Sequence, residues 1–215
     1  MSEELFKKMA QAVIDGEDED AAAAAQQALD EGIPPLDAIN KGFVAGMDVV
    51  GELYASGEYF LPDLILGGEA MKAALAVLEP VLKAAGQERK VLGKVVLGTV
   101  KGDIHEIGKS LVGTMLSANG FEVFDLGIDI ESSVFVDKAR EYDADIVALS
   151  ALLTTTMLHQ RDVIEHLSEA GLRERVKVMV GGSPVTPEWA EQIGADGFAE
   201  DAATAVGVAK ELMSA

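Results

Sequence analysis

Gly102-Asp103-Ile104-His105-Glu106-Ile107-Gly108-Lys109 follows directly on the apolar run Val95-Val96-Leu97-Gly98-Thr99-Val100 and leads into a helix-like stretch, Ser110 to Asn119. A strand, a short glycine-bounded loop and a helix place that loop at the carboxyl end of a parallel sheet, where α/β folds bind ligands. The loop carries a histidine two residues after an aspartate. A carboxylate on one imidazole nitrogen sets the tautomer and makes the other nitrogen a better metal ligand. The competing reading is an ordinary hydrogen-bonded loop histidine. Against it stand the flanking glycines, which allow a bulky group to approach the backbone. With no cysteine and only two other histidines in the chain, an ordinary protein-built zinc site is not available.

Downstream of this loop, short apolar runs alternate with helical segments. Strands are expected near 94–100, 122–125, 145–150, 176–180 and 197–199. Helices are expected near 106–119, 131–141, 157–170, 187–193 and 201–213, with Gly120 and Gly171 at helix C-caps. The repeated βα order implies a five-stranded parallel sheet covered on both faces, with right-handed crossovers. Its carboxyl edge then gathers two further loops of unusual content. Ser150-Ala151-Leu152-Leu153-Thr154-Thr155-Thr156 holds four hydroxyls in seven residues, and Gly181-Gly182-Ser183-Pro184 pairs two glycines. Together with the first loop they describe a pocket between strands one, three and four, beside the switch point of a flavodoxin-like (Rossmann-like) sheet.

Upstream, residues 1–89 read as helices only. Leu5, Phe6, Met9 and Val13 recur at helical spacing. The acids Glu17 to Asp20 precede Ala21–Ala25 and mark a helix start, where negative charge meets the positive end of the dipole. Pro34-Pro35 opens a third helix striped by Leu36, Ile39, Phe43, Met47, Val50 and Leu53. Pro62 opens a fourth, striped by Leu64, Ile65, Met71, Leu75, Leu78 and Leu82. The expectation is a four-helix bundle over 1–89 and an α/β domain over 90–215, divided at the polar Gly86-Gln87-Glu88-Arg89.

Composition narrows the function classes. The formal charge is -20, with 17 acids against 6 bases in residues 1–89 and 20 against 11 in the remainder. Nucleic acid and anionic membranes need clustered Lys and Arg, so neither is an expected partner. The start shows no signal peptide, no apolar run has the length of a membrane helix, and the absence of cysteine suits a reducing interior. A cytoplasmic protein is expected.

Asp103-x-His105-x-x-Gly108, then Ser150-x-Leu152, then Gly181-Gly182, in that order and spacing, resembles the cobalamin-binding domain. The helices ahead of it, with Gly57-Glu58-Tyr59-Phe60-Leu61-Pro62, resemble the helical cap of methionine synthase. The same two-part layout makes up the small corrinoid proteins of methylamine, methanol and aryl-ether methyltransferase systems. The resemblance implies cobalamin or a related corrinoid, bound base-off and His-on, with His105 as the ligand to cobalt. It implies a relay through Asp103 to a hydroxyl, for which both Thr156 and Thr155 are candidates. Gly102, Ile104, Glu106, Ile107 and Gly108 would surround the ligand. Ser150, Leu152, Thr154, Gly108, Gly181 and Gly182 would line the channel for the displaced nucleotide tail, and Ser183 would be a further cofactor contact. Phe60 on the cap would cover the upper face.

The implied function is a methyl carrier on cobalt, non-autonomous as an enzyme. Its implied partners are a substrate-specific methyltransferase, a second methyltransferase loading tetrahydrofolate or coenzyme M, and a corrinoid-reactivating protein. Two rivals are a carbon-skeleton mutase subunit, which shares the histidine loop but generally lacks the cap, and a cobalamin-dependent sensor, which has the cap-plus-domain pair but adds a basic DNA-binding segment. His159 and His166, seven apart, are expected on a helix surface, and Trp189 in packing.

Overall fold

The computed structural model describes residues 2–85 and 91–214. The expected boundary at Gly86-Gln87-Glu88-Arg89 lies outside the described residues. The chain divides into two compact units, Met1–Lys90 and Val91–Ala215. No helix among the described residues is long and apolar enough to cross a membrane.

The first unit is helical. Helix α1 (Ser2–Ile14) is followed by α2 (Asp18–Asp30), whose first turn holds Asp18, Glu19 and Asp20. Helix α3 (Pro35–Asp37) runs through a π-helical stretch (Ala38–Phe43) into α4 (Val44–Ser56), so the third expected helix is one rod with a widened turn. Helix α5 (Leu61–Ala84) completes the unit. Ala21, Ala24, Ala25 and Ala28 are all buried on α2, and these small side chains let it lie close along α5. Leu64, Met71, Leu75, Leu78 and Leu82 form the buried stripe of α5, while Ile65 is exposed. One residue on from Leu64 is about 100° further round a helix, which takes Ile65 off the buried face.

The second unit is a five-stranded, all-parallel sheet in the order β2-β1-β3-β4-β5, the flavodoxin-like order. Its strands are β1 (Lys94–Thr99), β2 (Glu122–Asp125), β3 (Ile146–Ser150), β4 (Lys177–Gly181) and β5 (Gly197–Ala199). The strands alternate with α6 (Ile107–Ala118), α7 (Ser132–Glu141), α8 (Leu158–Glu169), α9 (Pro187–Ile193) and α10 (Ala202–Leu212). Val96, Val147 and Val178 join the core built with Phe135, Val163, Leu167 and Trp189 on one face. α6 and α10 pack together in the same unit. Gly120 and Gly171 close α6 and α8 with paired backbone bonds. Gly120 N–H reaches Ser117 and Phe121 N–H reaches Leu116, while Gly171 reaches Ser168 and Leu172 reaches Leu167.

Register decides where the loops emerge. Thr99 pairs with Ser150, Ser150 with Gly181, and Gly181 with Ala199, so four strand ends stand in one row at the carboxyl edge. Beyond that row the chains stay close. Ala151 N–H donates to the Gly181 carbonyl at 3.2 Å. Gly182 has φ +125°, and a Cβ there would lie 1.8 Å from the Ala151 carbonyl oxygen. The chain's own backbone therefore requires glycine at 182.

Two substitutions should move stability in opposite directions. Gly182→Ala should lose about 3 kcal/mol, from strain plus collision with Ala151. Gly207→Ala, within α10 and with open space around the added methyl, should gain roughly 0.5–1 kcal/mol. Urea denaturation midpoints would show both.

Candidate functional site

The loop after β1 turns tightly before it reaches the histidine. Val100 N–H bonds the Ser150 carbonyl at 3.1 Å, and Asp103 N–H returns to the Val100 carbonyl at 3.2 Å. The loop after β2 supports it from the other side. Asp129 N–H donates to the Asp103 carbonyl at 2.9 Å, and its carboxylate accepts from Gly102 N–H at 2.8 Å. This turn sends the Asp103 side chain inward.

Asp103 is fully buried, and both of its oxygens are occupied. Oδ2 accepts from Thr156 Oγ1 at 2.6 Å and from Leu152 N–H at 2.7 Å. Oδ1 accepts from His105 N–H at 3.1 Å and faces His105 Nδ1 at 2.7 Å. Burial by itself would raise this carboxyl's pKa, but the bonds from Thr156, Leu152 and His105 outweigh it and hold the group well below the usual carboxylate range. Asp103 is therefore an anion and can only accept. The proton between it and His105 belongs to Nδ1, which leaves the Nε2 lone pair available.

His105 has a half-exposed side chain, so Nε2 is presented outward rather than sealed in. From beneath, Thr99 Oγ1 donates to the His105 carbonyl at 2.9 Å, and Thr99 is fully buried. Around the imidazole the loop leaves apolar surface in solvent. Ile104 is 70% exposed and Ile107 84%, and Leu152 and Leu153 are exposed on the loop after β3. Isolated exposed apolar residues are ordinary, but three on the two loops joined through Asp103, with Ile107 at the start of α6, mark a surface suited to a large apolar partner. Among the described residues no three His, Cys, Asp or Glu side chains are grouped to hold a metal ion.

Of the hydroxyls in the loop after β3, Thr156 is buried and bonded to Asp103, whereas Thr154 and Thr155 are exposed. Ser150 is half-buried at the end of its strand, Ser183 is exposed, and Gly181 and Gly182 sit where the strand ends meet. Glu106 and Gly108 are exposed, and a Cβ on Gly108 would meet nothing within 4 Å. In the helical unit, Phe60 is 68% exposed just before α5, where its N–H donates to Asp63.

His159 and His166 occur together on α8, beside a cavity of about 320 Å³ also lined by Lys101, Glu131 and Asp162. His159 Nδ1 faces the Asp162 carboxylate at 2.8 Å, and His166 Nδ1 donates to the Asp162 carbonyl at 2.7 Å. None of the expected cofactor residues lines this cavity. Trp189 is packing, with its indole N–H on Gln160 Oε1 at 3.0 Å. Sequence reasoning passed over Thr99 and Leu153. The signal for Thr99 was a hydroxyl ending an otherwise apolar strand, two residues before the turn.

Thr156→Val should cost about 1.5–3 kcal/mol, the usual worth of a bond to a charged group, whereas Thr156→Ser should restore most of it. Thr155→Val should stay within about 0.5 kcal/mol of the parent. Because the folded pKa of Asp103 is depressed, its contribution is fully present above the ordinary carboxylate value of 3.8. It is lost as pH falls below that toward the folded value. Acid denaturation of Thr156→Val against the parent would show a smaller loss over that range.

Two models described as the B12 binding domain match the chain, one over residues 93–207 and one over residues 5–79. A corrinoid protein of Desulfitobacterium hafniense (strain Y51) is 48% identical over 97% of this chain and 97% of its own length. Dimethylamine corrinoid protein 2 of Methanosarcina acetivorans is 50% identical over 98% of this chain and 97% of its own. Among solved structures, the methanol:cobalamin methyltransferase complex of Methanosarcina barkeri matches with TM-score 0.88 at 31% identity, covering 98% of this chain and 80% of the other. A cobalamin-binding protein of Desulfitobacterium hafniense DCB-2 matches with TM-score 0.78 at 37% identity, covering 96% and 98%. With both of its parts matched and near-complete coverage by these relatives, the chain belongs to the corrinoid proteins that carry the B12 binding domain.

Proposed function

We propose that the chain carries a corrinoid base-off, with His105 Nε2 as the residue that would hold its cobalt, and acts as a methyl carrier. The observation that carries this reading is the Asp103–His105 pair. A fully buried carboxylate, bonded by Thr156 and Leu152, orients a half-exposed imidazole amid exposed Ile104, Ile107, Leu152 and Leu153. The fit to a macrocycle is chemical. Imidazole is a suitable single ligand for a first-row metal whose remaining ligands are already supplied, and a corrin edge is apolar enough to cover the aliphatic side chains. When bound, the corrinoid supplies a cobalt centre that takes up and gives up a methyl group.

What the polypeptide contributes is binding, orientation and proton placement. Asp103 keeps the proton on Nδ1 while Nε2 serves as ligand. Thr156 and Leu152 hold Asp103 in its ionised, oriented state. Ser150, Thr154, Thr155, Gly181, Gly182 and Ser183 are the proposed lining for the displaced nucleotide tail. Phe60, exposed on the helical unit, is proposed as a further residue that would contact the corrinoid.

The proposed partners are a substrate-specific methyltransferase, a second methyltransferase loading tetrahydrofolate or coenzyme M, and a corrinoid-reactivating protein. The names of the relatives support a methylamine- or methanol-type donor system. The proposed compartment is the cytoplasm, in keeping with a chain free of cysteine.

Reconstitution with hydroxocobalamin tests the reading directly. The parent should keep a bound chromophore through desalting and show the His-on spectrum. His105→Ala should keep corrinoid but lose the His-on form. A colourless parent after desalting, or dimethylbenzimidazole still on the metal, would refute it.

A further inference from the structure

Lys109 is the third residue of α6, and its side chain is 2% exposed. A cation is disfavoured there on two grounds. It is removed from water, and the first turn of a helix carries the positive end of the dipole. Its compensation is Asp125, the last residue of β2, whose Oδ2 accepts from the ammonium. Asp125 does not stop at that ion pair. Its Oδ1 accepts from Gly127 N–H at 2.8 Å. The Gly127 carbonyl in turn accepts from Thr99 N–H at 3.0 Å. Thr99 Oγ1 then donates to the His105 carbonyl at 2.9 Å. The chain of contacts starts four residues past His105 and returns to its backbone from the β2 side.

We propose that Lys109, Asp125 and Thr99 are positioning residues for His105, holding its backbone carbonyl while Asp103 holds its ring and its backbone N–H. The inference rests on His105 being the cobalt ligand. The bonds from Asp103 do not reach the His105 carbonyl, so on their own they leave that side of the backbone unrestrained and with it the place of Nε2. The Lys109–Asp125 pair ties the start of α6 to the end of β2, and Thr99 transmits that constraint to the carbonyl beside the Cα that bears the imidazole. No bond in this route passes through Asp103, so the two restraints act from different sides of the loop.

The test uses full-length protein loaded with hydroxocobalamin, reduced to cobalt(II), with the His-on to His-off ratio read from nitrogen splitting in the electron paramagnetic resonance spectrum. Lys109→Met keeps the volume, and Asp125, with its side chain 41% exposed, remains solvated. The expected result is a ratio lowered about tenfold, the usual loss when a residue supporting a metal ligand is changed, with corrinoid still bound and circular dichroism unchanged. A lower melting temperature with the parent ratio would mean a structural role only, and would overturn the inference. Should Lys109→Met fail to fold, Thr99→Val interrupts the same route at its far end. A fall in ratio there, restored by Thr99→Ser, supports the inference, and a parent-like ratio overturns it. A parent protein that shows no nitrogen splitting from histidine would instead defeat the cofactor reading itself, and this inference with it.

Discussion

A carboxylate without water around it is costly unless hydrogen bonds replace what the solvent supplied. Asp103 receives them from His105, Leu152 and Thr156, on two loops of the sheet edge. The turn from Val100 to Asp103, the hydroxyl-rich loop after β3 and the inward path of the side chain all serve that satisfaction. Its by-product is an imidazole with one nitrogen committed and the other free. Removing the charge would leave Leu152 N–H and Thr156 Oγ1 with a weaker acceptor and His105 with no fixed tautomer, so the carboxylate organises the edge as well as the ring.

The sheet makes such a meeting possible. Parallel pairing with Thr99 opposite Ser150 and Ser150 opposite Gly181 brings loops from separate βα units to one level. The absence of a side chain at Gly182 then lets the last of these loops pass within contact distance of Ala151. Gln160 reinforces the same place, donating to the carbonyls of Leu149 and Gly181 and so spanning two adjacent strands from α8. A rigid edge of this kind suits a site whose task is to present one nitrogen at a set height.

Much of this was legible from residue order. The five strands follow from short apolar runs, and the Asp103–His105 pair lies within one loop, where spacing of two determines contact. The helical stripes were legible too, apart from Ile65, whose exposure depends on which side of α5 faces its neighbours. Contacts between distant segments were not. Thr156 and Thr155 differ by one position in a turn, and only the conformation of residues 153–157 decides which hydroxyl reaches inward. The need for glycine at 182 was not legible either, because it comes from the Ala151 carbonyl on a loop about thirty residues away. The cavity beside α8 arises from three segments with no shared motif, which a one-dimensional reading cannot assemble.

The bonds to Asp103 from Leu152 and Thr156 close over separations of 49 and 53 residues. Chain loops of that span close late in folding, since their entropy must be overcome before the contacts form. The segment from β1 to α6 can emerge from a ribosome and gain helix and turn, yet its aspartate stays solvated until β3 has docked. The fixed tautomer of this imidazole is consequently a property of the finished domain, withheld from nascent or partly folded chains.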